Sequence, residues 1–476
     1  MGCSNTNEEE SAIQDKNEKK LSPETDDCSI MKKIKPIIKT NSNIYSSNNL
    51  NDNSKFNINY NNISKKTKNK VNVNFSVFSP TNLDNNPKHT INYNNNKIEQ
   101  KSKSNNINIE TSTTEDTKTQ TNLINNRINF TLEIKKGKYD KKDYLDNKIY
   151  FLDNTASHKY LKELNKTNVE FIINNIKIPY QKFLKFQEEG QYNVTLDLKI
   201  ALTDCSNMFY GSKYLTNIDF SSFYTKHITN MEGMFSGCEN LKSINLSQID
   251  FQNALNMSHM FSDCSKLVYA NLSLVNTKYV GDMSYMFKGC EKLENLKLFK
   301  LDTQNVIDFS HMFDSCSKLP DIDLSTLNTQ NVQNMSHMFY NCLELTDIDL
   351  SNLNFQNVID MSSMFENCSS LKKVDLSQLN TQNVANISNM VCGCFNLTDF
   401  ISPLDTKNVT NISSMFCGCK RLMYLDLSNL DTTNVTQYLN MFKYCSNLKN
   451  VKINNNNYNT IERALKWDDI SPEFES

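Results

Sequence analysis

The sequence predicts an α/β solenoid: a stack of near-identical turns, each a short helix and a strand of one concave parallel sheet, closed at its amino end by a small β-rich cap and preceded by a long disordered tether. Three observations predict it. A Met-centred pattern recurs every 25 or 26 residues from Met208 to Met441, apolar and polar residues alternate between Arg127 and Ile200, and Asn, Lys, Ser and Thr dominate from about Ser4 to Leu123. The boundaries that follow are 1–126 for the tether, 127–201 for the cap, 202–453 for the solenoid and 454–476 for a carboxy-terminal cap.

The tether lacks the apolar content to offset an ordering entropy of about 1–2 kcal/mol per residue. The cap is read from the period of two in Ile128-Phe130-Leu132-Ile134, Ile149-Phe151, Val169-Phe171-Ile173 and Tyr192–Leu198, with Asn174-Asn175 as a hairpin turn.

In the solenoid, Met-Phe recurs at Met208, Met234, Met260, Met286, Met312, Met338 and Met364, continues as Met390-Val391, and resumes at Met415 and Met441. A Cys follows four residues after each Met except the first, where Ser212 stands, and a Leu follows at seven. So strict a period means stacked turns. Within one unit Met335, Met338, Phe339 and Cys342 are spaced three, four and seven apart, which predicts one face of a short helix with Asn334 at its cap. Leu345, Ile348 and Leu350 then follow the Leu-x-x-Leu-x-Leu spacing of a leucine-rich-repeat strand, and Asn331-Val332 turns the chain toward the helix. Helices are wider than strands, so the strands are expected on the concave side. Asn459 followed by Glu462 reads as a capping box, with Ile461, Leu465 and Trp467 closing the far end of the stack.

The Met-x-x-Met-Phe-x-x-Cys-x-x-Leu-x-x-Leu-Asp-Leu-Ser pattern, with linkers such as Asn328-Thr329-Gln330-Asn331-Val332, resembles the BspA-type leucine-rich-repeat proteins over Leu202 to Ile453. That resemblance implies a non-catalytic surface or adhesion protein. The amino terminus departs from it, since no basic start with an apolar core marks a secretion signal.

Composition narrows the function. With 51 basic and 53 acidic residues the formal charge is −2, which gives no electrostatic reason to expect nucleic acid. No run of about 18 apolar residues could cross a bilayer, so the chain is expected in the cytosol with its 14 cysteines reduced. Met1-Gly2-Cys3-Ser4-Asn5-Thr6 fits myristoylation at Gly2, and Cys3 is placed for palmitoylation. A single myristoyl chain binds membranes only marginally, so the second acyl group would make the attachment stable.

The cysteine series is read as buried apolar thiols. Helices about 10 Å apart would keep neighbouring turns from forming disulfides, and one thiol per turn does not assemble a zinc site. Cys392 and Cys417 align one turn apart, in the two Cys-Gly-Cys segments, and leave weak metal or redox chemistry as an alternative there. His259, His311 and His337 precede the repeated Met and are expected to line up on an exposed flank. No phosphate-binding Gly loop, catalytic triad or paired-acid arrangement stands out, so no catalytic residue, metal or cofactor is assigned.

The positions flanking the inward Leu residues should face out from the sheet. They hold Asp321 and Asp323, then Asp347 and Asp349, then Lys373 and Asp375, ending in Tyr424 and Asp426. Two readings stay open: a binding face for a protein with a basic surface, or acids that only keep a strand surface soluble. The function expected is a non-catalytic scaffold held at the cytoplasmic face of a membrane. The alternative is an exported adhesin at the cell surface.

Overall fold

The structure, a computed structural model, describes residues 126–135, 149–153, 161–186, 188–247, 249–401 and 406–475. Gly2, Cys3 and the tether lie outside the described residues.

Five strands form the amino-terminal sheet: β1 (Arg127–Ile134), β2 (Val169–Ile173), β3 (Ile176–Pro179), β4 (Gly190–Leu198) and β5 (Leu215–Asp219), in the order β3-β2-β4-β1-β5. All pairings in it are antiparallel. The alternation works as its period requires, with Ile128, Phe130, Leu132 and Ile134 buried on one face. Asn174 and Asn175 both take positive φ, 49° and 65°, and so make the tight turn between β2 and β3. Ile149 contributes only an isolated bridge to Leu184. Because β5 lies within the first repeat, the sheet is tied to the stack through that turn.

The repeats form a β-solenoid of about nine turns. The short helices expected around each Met are absent from the described residues, and the hydrogen bonds show why. In Asn334–Cys342 the amides alternate between two kinds of partner. Those of Met335, His337, Phe339 and Asn341 donate to Asp360, Ser362, Met364 and Glu366 of the next turn at 2.8–2.9 Å. Those of Met338, Tyr340 and Cys342 donate three residues back, to Met335, His337 and Phe339. A helix would send all of them four residues back. Here half are drawn into the neighbouring turn, and the chain becomes a succession of tight turns with His337 and Asn341 at φ 56° and 58°.

The apolar spacing still buries the residues it picked out, since Met335, Met338, Phe339 and Cys342 are each fully enclosed. Phe rings stack from turn to turn, from Phe209 on Phe235 at 5.5 Å through to Phe339 on Phe365 at 5.6 Å. Val391 interrupts the column, and Phe400 from the strand side meets Phe416 edge-on at 4.9 Å. Each enclosed Met or Phe contributes roughly 1.5–3 kcal/mol of burial.

Asn334 does cap, but it caps a turn. Its Oδ1 accepts the Ser336 amide at 3.0 Å, as Asp282, Asp308 and Asp360 do for Ser284, Ser310 and Ser362. Parallel bridges join this position from Asp204 to Gln437 without a break. Linker asparagines hold the next corner, where Asn331 and Asn357 donate to the carbonyls of Gln304 and Gln330, each at 2.6 Å.

On the strand side the ladder is interrupted. Parallel sheets run through β6 (Ser243–Asn245), β7 (Tyr269–Asn271) and β8 (Asn295–Lys297), and through β9 (Lys373–Asp375) and β10 (Asp399–Ile401). A third joins β11 (Tyr424–Asp426), β12 (Asn450–Lys452) and β13 (Glu473–Glu475). The bend expected from wide helices packed against narrow strands loses its premise, because both sides of the stack are spaced by backbone hydrogen bonds.

The helix α1 spans Tyr458–Trp467 and packs Ile461, Ala464 and Leu465 against the last turn. Its N-cap is Asn457, ahead of the expected start at Asn459, and no side chain caps it. Asn457 is instead fully buried, with its Nδ2 donating to the carbonyls of Leu427 and Leu430. Trp467 is 68 % exposed and does not close the stack.

Candidate functional site

The acidic positions lie where the strand spacing places them. Asp321, Asp323, Asp347 and Asp349 are exposed, and Asp375 and Asp426 are half-buried. Tyr424 is also exposed. Asp323, Asp349, Asp375 and Asp426 serve the backbone as well, for each Oδ1 accepts the amide two residues on, from Ser325, Ser351, Ser377 and Ser428, at 2.9–3.0 Å. These bonds close the turn at the end of each strand. Asn245 and Asn271 do the same for Ser247 and Ser273 in earlier turns, so an amide oxygen suffices to close it.

Electrostatics divides the set. Bonds from Ser325 and Ser351 hold the Asp323 and Asp349 carboxyls below their ordinary range. At Asp375 the bonds from Ser377, with Lys373 at 3.0 Å, bring the value down to about 2. Burial works against the Asp426 charge, but Ser428 and Lys452, the latter at 3.2 Å, outweigh it. Asp375 and Asp426 are therefore each neutralised by a lysine. Among the described residues, Asp321, Asp323, Asp347 and Asp349 make no ion pair. The net negative charge of the face is concentrated on two consecutive turns.

Those two turns are also where the strand ladder opens. Elsewhere the amide after the repeated Leu reaches the previous turn, as Val268 does to Lys242, Thr398 to Lys372 and, in the second of the two turns, Thr346 to Pro320. Pro320 occupies that position and has no N–H to give, so the carbonyl of Glu294 loses the equivalent partner. Residues 321–323 and 347–349 do not pair as strands. A cleft of about 240 Å³ lies alongside, lined by Asp347, Asp349, Lys373 and Asp375 among others.

A different cluster lies on the turn side. The rings of His259, Tyr285, His311 and His337 stack in sequence at 4.3–4.4 Å, within 10° of parallel. The histidines do line up, but they are half-buried where an exposed flank was expected. Burial lowers the pKa of His259 and His337 to about 4. Asp314 lies beneath the stack, 2.9 Å from His311 and 3.3 Å from Lys288. Burial opposes its charge, yet those two neighbours keep its carboxyl below the ordinary range. Recurrence of aromatic side chains just before the Met was the signal for this stack; a helical reading spread them along a solvent face.

The main cysteine series is buried as expected, with one addition. Each thiol donates to a backbone carbonyl of the preceding turn, as Cys264 does to Phe235 and Cys342 to Phe313, both at 3.2 Å. Burial pushes these thiols well above their ordinary range. Among the described residues no group of three or more His, Cys, Asp or Glu side chains could hold a metal ion, and no helix is long and apolar enough to cross a membrane.

Comparison with curated proteins returns no match. The family model described as "Mycoplasma protein of unknown function, DUF285" matches residues 180–294, 256–379 and 360–467, a span that takes in every turn of the stack, and the chain belongs to that family.

Proposed function

We propose that the chain is a non-catalytic protein-binding scaffold that engages a partner with a basic surface through the sheet face around Asp321, Asp323, Asp347 and Asp349. One observation carries the reading: four exposed carboxylates on consecutive turns, without a lysine among them, beside a cleft in the ladder. Adjacent strands lie about 5 Å apart, so these charges raise each other's electrostatic cost until a cationic surface covers them. Elsewhere the polar side chains of the repeat are occupied with its backbone, as the Asn, Asp and Cys series show.

In this proposal Gly2 and Cys3 carry acyl chains, and the tether lets the solenoid reach partners along the cytoplasmic face of a membrane. A second reading rests on the repeat pattern itself, which fits the BspA-type leucine-rich repeats and would make the same face that of an exported adhesin. Mass spectrometry of the amino-terminal peptide from the native source separates the two. A myristoylated Gly2 supports the scaffold, and removal of the segment by a signal protease supports the adhesin. The partner is tested by proximity labelling from the full chain: enrichment of proteins with basic surfaces, lost when the acidic face is neutralised, is the expected result. Labelling that ignores the face overturns the assignment of the interface.

A further inference from the structure

Cys392 and Cys417 differ from every other described thiol. They are half-exposed, whereas the other cysteines of the stack are buried. They occupy the same position in consecutive turns, two residues after Met390 and Met415. The backbone fixes their separation: the Gly393 amide donates to the Cys417 carbonyl at 2.7 Å, and a Cβ built on Gly418 would lie 3.6 Å from the Gly393 Cα. Turns joined in this way run about 5 Å apart, inside the roughly 4.4–6.8 Å between Cα atoms that a disulfide requires. The separation of about 10 Å expected for helices, which would forbid such a bond, does not apply here.

We propose that Cys392 and Cys417 form a reversible disulfide between consecutive turns by exchange with a small-molecule disulfide such as oxidised glutathione. The Cys417 thiolate attacks one sulfur of glutathione disulfide, and the first glutathione leaves as a thiolate that takes up the Cys417 proton. Cys392 then attacks the Cys417 sulfur of the mixed disulfide and expels the second glutathione, which takes up the Cys392 proton. Two protein thiols and one glutathione disulfide become one protein disulfide and two reduced glutathiones. The order of attack follows from the surroundings. A hydrogen bond with Cys392 favours the Cys417 thiolate and outweighs the cost of its burial; Asp468 and Glu366 oppose that charge, and Lys443, at the same position one turn on, favours it. The same hydrogen bond and burial push the Cys392 thiol up. Buried Cys394 and Cys419 donate to the carbonyls of Phe365 and Val391 and are closed to the oxidant.

The test uses the full chain equilibrated with glutathione buffers of increasing oxidised fraction, quenched in acid, alkylated and mapped by peptide mass spectrometry. The expected product is a Cys392–Cys417 cross-linked peptide, lighter by two hydrogens and restored by dithiothreitol. In Cys392→Ser, Cys417 should accumulate one glutathione, and in Cys417→Ser glutathionylation of Cys392 should be roughly tenfold slower. Serine stands at the equivalent position as Ser236 and Ser262, so both variants are compatible with the stack. Phenylarsine oxide, which bridges two neighbouring thiols, should be captured by the reduced chain and by neither variant. The proposal is overturned if both thiols stay alkylatable across the series, if each carries its own glutathione without closing, or if the arsenical binds both single variants as well as the parent chain.

Discussion

The Nδ1 of His311 lies 2.9 Å from Asp314 Oδ2, and the His311 ring stacks at 4.3 Å on that of His337, whose own Nδ1 is buried without a partner among the described residues. The stack therefore holds a neutral His337 at its end. Its folded pKa, about 4, is below the unfolded value near 6.5, so the stability it contributes is complete above pH 6.5 and is lost as pH falls toward 4. His337→Asn removes that loss without a backbone penalty, because Asn389 and Asn440 hold the same left-handed conformation at this position. Urea unfolding at pH 7 and pH 4 should show the parent chain losing about 1–3 kcal/mol more than the variant, after allowance for partial solvent access. Asp308, pushed up to about 6 by burial, acts in the opposite direction, with stability lost as pH rises through that value. It is present in both chains and cancels in the difference. An equal loss in the two would show that His337 does not titrate as a buried group.

Gly289 has φ +71°, and a Cβ there would lie 2.5 Å from Asp263 Oδ1 and 3.3 Å from Asp263 Cα in the preceding turn. Gly289→Ala should cost about 1–2 kcal/mol in denaturant unfolding. Gly289→Asn should cost less, since Asn341 and Asn367 take the same conformation at the same position. If alanine is tolerated as well as asparagine, left-handed geometry is not what limits this turn.

Ser212 stands where every later turn has Cys, and its hydroxyl is buried with no hydrogen-bond partner among the described residues. It belongs to the first turn, so the preceding carbonyl that receives each later thiol is missing. Ser212→Ala should stabilise the chain by about 1 kcal/mol, the cost of an unsatisfied buried hydroxyl. A destabilised variant in calorimetry would mean that the hydroxyl is satisfied in solution.

These residues also show what the sequence made legible. The core was readable because a solenoid repeats its demands: Met335, Met338, Phe339, Cys342 and Leu345 are buried in one turn, and their counterparts are buried in the next. The local conformation was not, because a spacing of three, four and seven suits a helix and a chain of three-residue turns equally well. The distinguishing signal was present in Gly233, Gly237, Gly289, Asn341, Asn367 and Asn389, residues suited to positive φ at two fixed places in the turn. In the cap, Asn174-Asn175 was legible because its turn type demands two such residues in a row. On the acidic face the outward positions of Asp323 and Asp349 followed from the strand period. Lys373, the partner of Asp375, stands two residues before it in the same strand, but the Lys452 partner of Asp426 and the opening at Pro320 depend on contacts between turns that no single repeat contains.

Neutralising the acidic face tests the central claim most directly. The triple change Asp323→Asn, Asp347→Asn and Asp349→Asn keeps an oxygen for the Ser325, Ile348 and Ser351 amides, as Asn245 and Asn271 do naturally for their serines, so unfolding should be unchanged. Affinity of the full chain for a basic partner identified by proximity labelling should be measured for the parent and triple variant at low and high salt. The proposed scaffold predicts roughly tenfold weaker binding by the variant at low salt, slower association, and a shallower dependence on salt. Equal affinity and equal salt dependence in the two chains would contradict it, leaving these aspartates as turn-closing residues and moving the interface off the sheet face.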